Sequence, residues 1–230
     1  MRAVWLVLLL AVIAPPVRGQ TGGAQGQVFQ VDFSHPELSP SHWTMTLQPD
    51  GSGHFRSERR SASTADSQRI DAPAIDRDIQ VSAEYAAHVF QTAQRKKLSS
   101  SECESHMKVA FQGMKTLKLS GPDGEWLCTF NYSKDKEIED LGESLVAVAG
   151  TILEGAKLET QLRHDWLALD SEMEYLMEAA KDGRVQQLCA IREILERLAQ
   201  DPGVMERVRK RARILLEKAG INERGLGTGE

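Results

Sequence analysis

The chain has 230 residues, of which 41% are hydrophobic and 6% aromatic, and 28 Lys and Arg against 33 Asp and Glu leave a net charge of −5. Phosphate backbones are bound by clustered cations, and single strands by aromatic stacking platforms. An acidic chain poor in aromatics suits neither, so no nucleic-acid partner is expected.

Residues 1–19 have the layout of a cleavable secretory signal peptide. Arg2 opens the segment, an apolar run follows from Ala3 to Ala14, and Pro15 and Pro16 break any helix before Val17-Arg18-Gly19 at the cleavage position. A spanning helix needs about 20 apolar residues, and this run has twelve. No Cys follows it for acylation, and no later segment is apolar enough to span a membrane. The expectation is an exported protein, periplasmic or secreted after cleavage near Gly19, with no transmembrane span in the mature chain. Loss of Arg2 and Arg18 takes the net charge to −7. Export also implies an oxidising compartment. Of the three cysteines, Cys103 and Cys128 bracket one structural unit and are expected to pair as a disulfide. Cys189, between Leu188 and Ala190, reads as a small buried hydrophobe.

Residues 20–27 read as a flexible Gly- and Gln-rich leader. Val28 to Phe33 alternates weakly, as a first strand would. Trp43, Met45 and Leu47 alternate with Thr44 and Thr46, and Pro49-Asp50-Gly51 turns the chain into a returning strand from Ser52 to Glu58, which predicts a β-hairpin. Residues 59–77, rich in Ser, Ala, Asp and Arg, read as a loop or linker. Ser82 is placed as the cap of a helix from Ala83 to Lys97, with Tyr85, Val89, Phe90 and Ala93 on its apolar stripe. A second hairpin is expected from Lys108–Ser120 and Glu125–Tyr132 around Gly121-Pro122-Asp123-Gly124, with Gln112-Gly113 as a bulge or turn and Ser133 capping the next helix. The two Pro-Asp-Gly turns lie 73 positions apart, which admits an internal duplication without establishing one.

From Ile138 the spacing is helical. Ile138, Leu141, Leu145, Val148 and Ile152 continue in phase to Leu162, Trp166, Leu169, Met173, Leu176 and Ala180, predicting one long helix or two nearly collinear ones. Gly150 and Gly155 mark the expected kink, and Asp182-Gly183 the end. A helix from Arg184 to Gln200, a restart at Asp201-Pro202 and a last helix ending at Gly220 complete the pattern.

No catalytic constellation is visible. There is no G-x-S-x-G elbow, no phosphate-cradling Gly-Lys loop and no C-x-x-C pair. His35, His42 and His54 share no period with Asp32 and Glu37, and read as exposed loop histidines. His164-Asp165 reads as polar helix surface, and the helix carboxylates, such as Glu137 with Glu139 and Glu172 with Glu174, as a solvated face. Asn131-Tyr132-Ser133 is a formal glycosylation sequon, though Asn131 also suits a strand end. The basic residues of the last helix, among them Arg207, Arg209, Lys210, Arg211, Arg213 and Lys218, are interrupted by Glu206 and Glu217 and fit bundle packing better than a membrane surface.

The stretch Gly121-Pro122-Asp123-Gly124, Cys128 and Phe130 to Asp135 resembles a pattern of uncharacterised exported bacterial proteins, over residues 100–220. That resemblance implies export and brings no activity with it. The reading is an α+β protein in which two β-hairpins form a small antiparallel sheet with helices on one face, in a ββα-ββα-like order, followed by a long helix and a C-terminal antiparallel helical bundle. The expected divisions are 28–158 for the α+β domain, 159–220 for the bundle and 221–230 for a disordered tail. No cofactor and no metal are expected. The expected function is non-catalytic, a binding or protein-interaction module of the bacterial envelope whose partner is another envelope protein. The alternatives are an exported hydrolase assembled from distant residues, and a self-associating structural protein using the 138–180 seam.

Overall fold

A computed structural model of the chain describes residues 26–58, 74–96, 103–122 and 124–224. The expected signal peptide, residues 20–25 of the leader, most of the 59–77 linker and residues 225–230 lie outside the described residues.

Strand-period alternation builds the sheet. Phe29, Val31 and Phe33 of β1 (Val28–Ser34), Trp43, Met45 and Leu47 of β2 (His42–Leu47), and Phe55 of β3 (Ser52–Ser57) are all buried on one face. Ile75 and Ile79 of β4 (Ile75–Gln80), Leu117 and Leu119 of β5 (Met114–Gly121), and Cys128 and Phe130 of β6 (Gly124–Phe130) continue that face. The six strands form one antiparallel sheet in the order β4-β3-β2-β1-β5-β6. The two expected hairpins therefore flank β1 and share it as a common neighbour.

Four strands precede the first helix, because β4 lies in what reads from sequence as the end of the linker. Its Ile75 and Ile79 are separated by Asp76, Arg77 and Asp78, a polar run that conceals the alternation. The second hairpin is also shorter than expected. Lys108 to Gly113 lies outside the sheet, and β5 begins at Met114. Gly113 has φ +108°, and a Cβ there would overlap the Phe33 ring, so the chain bends into β5 at a position open only to glycine.

Helix α1 (Ala83–Lys96) starts where Ser82 Oγ accepts the Tyr85 amide at 3.2 Å, and it packs Tyr85, Ala86, Val89, Phe90 and Ala93 into the core on the buried sheet face. Helix α2 (Lys136–His164) adds Ile138, Leu141, Leu145, Val148, Ala149, Ile152 and Ala156 to the same core. Its N-cap is Asp135, which accepts from the Glu137 and Ile138 amides, rather than Ser133; the Ser133 amide donates instead to Glu139 Oε2 at 2.7 Å. From Leu158 onward α2 contributes to a second apolar cluster, shared with α3 (Ala168–Lys181), a 3-10 turn (Leu188–Ile191), α4 (Arg192–Gln200) and α5 (Glu206–Arg224). Among the described residues no helix is long and apolar enough to cross a membrane.

Helix boundaries differ from expectation at four places, each for a local reason. The long apolar phase breaks at Asp165, the α2 C-cap, and not at Gly150 or Gly155. Gly155 serves packing: a Cβ there would overlap Ile191 Cγ2. Residues 184–187 are not helical, since Gln187 has φ 54° and the backbone of Gln186 is held by Thr151 Oγ1, which accepts its amide at 3.0 Å and donates to its carbonyl at 2.7 Å. Asp201 closes a turn onto the Gly203 amide at 2.9 Å, so the last helix starts at Glu206 and runs to Arg224 instead of ending at Gly220.

The expected bridge is present: Cys103 and Cys128 are disulfide-bonded, 25 residues apart in sequence with Cα atoms 5.8 Å apart. Closing a loop of that length stabilises by about 3 kcal/mol in the chain-entropy model. Replacing both cysteines by serine should lower the unfolding free energy by about that amount in urea titrations. Gly155→Ala should cost about 1–3 kcal/mol in the same assay, as overpacking does.

Candidate functional site

The buried sheet face carries two cations. Strand periodicity puts Lys115 in phase with Leu117 and Leu119, and its side chain is 1% exposed. Its ammonium meets Glu143 Oε1 at 2.9 Å and Glu139 Oε1 at 3.8 Å from α2, donates to the Asn131 carbonyl at 3.3 Å, and lies 5.4 Å from the Phe130 ring centroid. Gly142, about one helical turn after Glu139 and next to Glu143, leaves room: a Cβ there would stand 2.9 Å from Lys115 Cδ and from Phe130 Cζ. At the far edge of the sheet, Arg77 of β4 makes a two-pronged pair with Glu159 of α2 at 2.8 and 2.9 Å. A buried charge without such partners would cost several kcal/mol.

Lys115 leads to the most exposed apolar feature of the α+β part. Beyond Cys103 the chain leaves the fold as an irregular strip, residues 104–113, before entering β5. Met107, Val109 and Phe111 alternate along it and are 53%, 37% and 49% exposed. The strip is anchored at both ends. Asn131 Oδ1 accepts the Gln112 amide at 2.7 Å, and its Nδ2 donates to the Ala110 carbonyl at 3.3 Å. Glu104 accepts from the Asn131 amide at 2.7 Å and the His106 amide at 3.2 Å. Burial opposes ionisation of Glu104, but the backbone N–H groups of Asn131, His106 and Ser105 outweigh it and hold the carboxyl below its usual range. The Ser105 amide donates to the Tyr132 carbonyl at 2.9 Å, and His35 rests 5.2 Å from the Phe111 ring. The amides of Lys108, Ala110 and Phe111 have no hydrogen-bond partner among the described residues. Asn131, which reads from sequence as a sequon or a strand end, is thus the clasp of the strip.

The histidines do not converge. His42 and His54 lie in β2 and β3 on the open, polar face of the sheet, so they are strand residues rather than loop residues. His42 Nε2 is 3.2 Å from Asp32, while His54 is held between Asp78 at Nδ1 and Asp76 at Nε2, both at 2.9 Å. Two carboxylates accepting from both ring nitrogens require the imidazolium, and the bond to Asp78, ahead of that to Asp76, raises the His54 pKa. Among the described residues no group of three His, Cys, Asp or Glu side chains has the geometry to hold a metal ion.

Two depressions are shallow. One, of about 360 Å³ on the open face, is lined by Gln30, Asp32, Thr116 and Lys118. The other, of about 500 Å³, lies between α2 and the 182–186 turn and includes Asp140, Glu143, Ser144 and Arg184. The Ser144 hydroxyl there is 2.6 Å from Gln186 Oε1 and 3.1 Å from Tyr85 Oη, and no His or carboxylate among the described residues is hydrogen-bonded to it. Tyr85 itself is pushed up to about 12 by burial.

The strongest carboxyl perturbation lies elsewhere, at the α2–α3 junction. Burial and a hydrogen bond to Glu172 push Glu154 up to about 7, whereas at Glu172 burial is outweighed by hydrogen bonds from Glu154 and Lys157, which hold it low. One proton serves the pair, and the Lys157 ammonium is 2.5 Å from Glu172 Oε2. Glu172 is thus not the solvated carboxylate its helical spacing suggests. The cations of α5 are largely consumed within the fold. Arg207 and Arg211 meet Asp170 at 2.7 and 2.5 Å, Arg209 and Arg213 pair with Glu206, and Lys218 donates to the Ala180 carbonyl.

No family model matches this chain, and no curated protein matches its sequence.

The Glu154 shift has a definite sign. A carboxyl whose folded pKa lies above its unfolded value adds stability at acid pH, and that contribution is lost as pH rises through about 7. Urea unfolding should therefore show lower stability at pH 8 than at pH 5, by on the order of 3 kcal/mol from this group. Glu154→Gln should remove most of the difference. The raised His54 pKa acts in the same direction, but the group is exposed and screened, so His54→Asn should remove only a small remainder.

Proposed function

We propose that the mature chain is a non-catalytic protein-interaction module of the bacterial envelope, and that it docks another envelope protein through the 104–113 strip. The observation that carries this reading is the strip itself. Three apolar side chains at alternate positions stand exposed on backbone held in place by Glu104, Asn131 and the adjacent disulfide. Ordering a chain segment costs about 1–2 kcal/mol per residue, so a segment already held in place, here with His106 at φ 54° and a tight turn from the Val109 amide to the Met107 carbonyl, binds with less of that cost. Alternate apolar side chains, and amides at Lys108 and Ala110 that have no partner among the described residues, favour an extended apolar peptide as partner, in the manner of strand addition. His106 and Lys108 on intervening positions favour acidic residues beside it.

The self-associating reading through the 138–180 seam has less support, because Ile138, Leu141, Leu145, Val148, Ile152, Leu162, Leu169, Met173 and Leu176 are all buried within the chain. The hydrolase reading gains no nucleophile–base pair from the two depressions.

Photo-cross-linking from position 109 in native envelope is expected to trap a discrete partner. Val109→Ser with Phe111→Ser should weaken capture by tenfold or more while leaving the melting transition nearly unchanged, since both side chains are already exposed. Undiminished capture by that variant would overturn the assignment of the strip.

A further inference from the structure

The two edges of the sheet are built differently, and the difference identifies a second interface. In an antiparallel sheet, residues alternate between bonding one neighbour and the other. The phase here is fixed by the Glu58 amide donating to the His42 carbonyl and the Val81 amide donating to the Gly51 carbonyl. Carried through the register, it points the free backbone groups of Asp76, Asp78 and Gln80 outward from β4, and those of Glu125, Leu127 and Thr129 outward from β6.

The β4 edge is guarded. A two-fold pairing of β4 with its own copy about Asp78 would set that carboxylate against itself, and because one His54 imidazolium serves both Asp76 and Asp78 the edge keeps a net negative charge; charged edge residues are a common defence against such pairing. The β6 edge has no such guard. Its one charge, Glu125, is neutralised by Lys118 at 2.9 Å, and Leu127 is 43% exposed at its centre. Nothing among the described residues bonds to its outward groups until Asn131, where Glu104 takes the next outward amide. The open edge is therefore bounded by the β5–β6 turn at Gly124 and by Glu104 at Asn131.

We propose that the protein forms a two-fold dimer by antiparallel pairing of β6 with β6 of a second copy, centred on Leu127, which joins the two sheets into one. The occupant follows from self-complementarity. With the axis at Leu127, Leu127 meets Leu127, and Glu125 falls opposite Thr129 in both directions, so no like charges oppose. Each opposed pair exchanges both backbone bonds, for about six new hydrogen bonds along the shared edge. Such an isologous contact closes on itself and leaves the guarded β4 edges outermost. This interface is distinct from the 104–113 strip and stands or falls without it.

The test uses the mature chain with Cys189→Ser to remove the thiol outside the disulfide. Sedimentation equilibrium should give a dimer, and Leu127→Arg should give a monomer with unchanged far-UV circular dichroism and an intact Cys103–Cys128 bridge. In the same background, Leu127→Cys should form covalent dimers with a short bis-maleimide, whereas Thr46→Cys, on the open face but three strands from that edge, should not. Register is read by mixing chains: Glu125→Cys should cross-link to Thr129→Cys and not to itself. A wild-type monomer at all micromolar concentrations, or a dimer untouched by Leu127→Arg and silent to Leu127→Cys cross-linking, would overturn the proposal. Phe111→Ser should leave the dimer intact, which separates this interface from strip binding.

Discussion

The placement of Lys115 governs much of the architecture. An ammonium on the buried side of a sheet must be partnered, because removing a lone charge from water costs far more than any single packing contact returns. Lys115 meets that demand by drawing on three elements: Glu143 and Glu139 of α2, the Asn131 carbonyl just past β6, and the Phe130 ring. The position of α2 over the sheet, the absence of a side chain at Gly142 and the setting of Asn131 are all tied to that one group. Arg77 and Glu159 repeat the arrangement at the opposite edge, so α2 is held electrostatically at two separated points and hydrophobically between them. Directional pairs set where the helix sits along the sheet, which non-directional burial leaves loose.

The same network connects the core to the surface. Asn131 offers its carbonyl to Lys115 and uses its side chain to hold residues 110–112 away from the sheet. Glu104, beside the disulfide, takes the Asn131 amide and so marks the end of the open β6 edge. The exposed strip and the open edge are therefore neighbours organised by one clasp, and each has a rigid support. Around them the surface is guarded: the β4 edge by carboxylates, the open face by paired His54 and His42, and α5 by ion pairs to α3 and within itself. Apolar surface is also uncovered at the α2–α3 junction, where Leu167 is 84% and Trp166 49% exposed, so the strip is set apart by its anchored backbone rather than by exposure alone.

Glu154 and Glu172 give the α2–α3 junction a different character. Two carboxyls sharing a proton in a partly buried place bind well only while that proton remains. The second apolar cluster is thereby sensitive to pH near neutrality, whereas the sheet core is braced by the Lys115 and Arg77 ion pairs.

Period-two and helical spacing in the sequence by themselves determined the strands β1, β2, β3, β5 and β6, the helix α1 and the apolar phase of α2 and α3, while the pairing of Cys103 with Cys128 was expected from an export signal and from two cysteines bracketing one unit. These follow from local alternation and chain chemistry, which need no knowledge of neighbours. Only the tertiary structure decided the rest. β4 was hidden because its middle is Asp76-Arg77-Asp78, stabilised by His54 and Glu159 from distant segments. Lys115 shares its parity with Leu117 and Leu119, a signal present in the sequence, but a lysine at an inward position becomes intelligible only when Gly142 and Glu143 are seen above it. The helix break moved from the glycines to Asp165 because Gly155 is needed for contact with Ile191, and close approach between segments leaves no trace in either one alone. The strip and the open edge were likewise illegible, since exposure is a property of what fails to cover a residue, and that is settled by the whole fold.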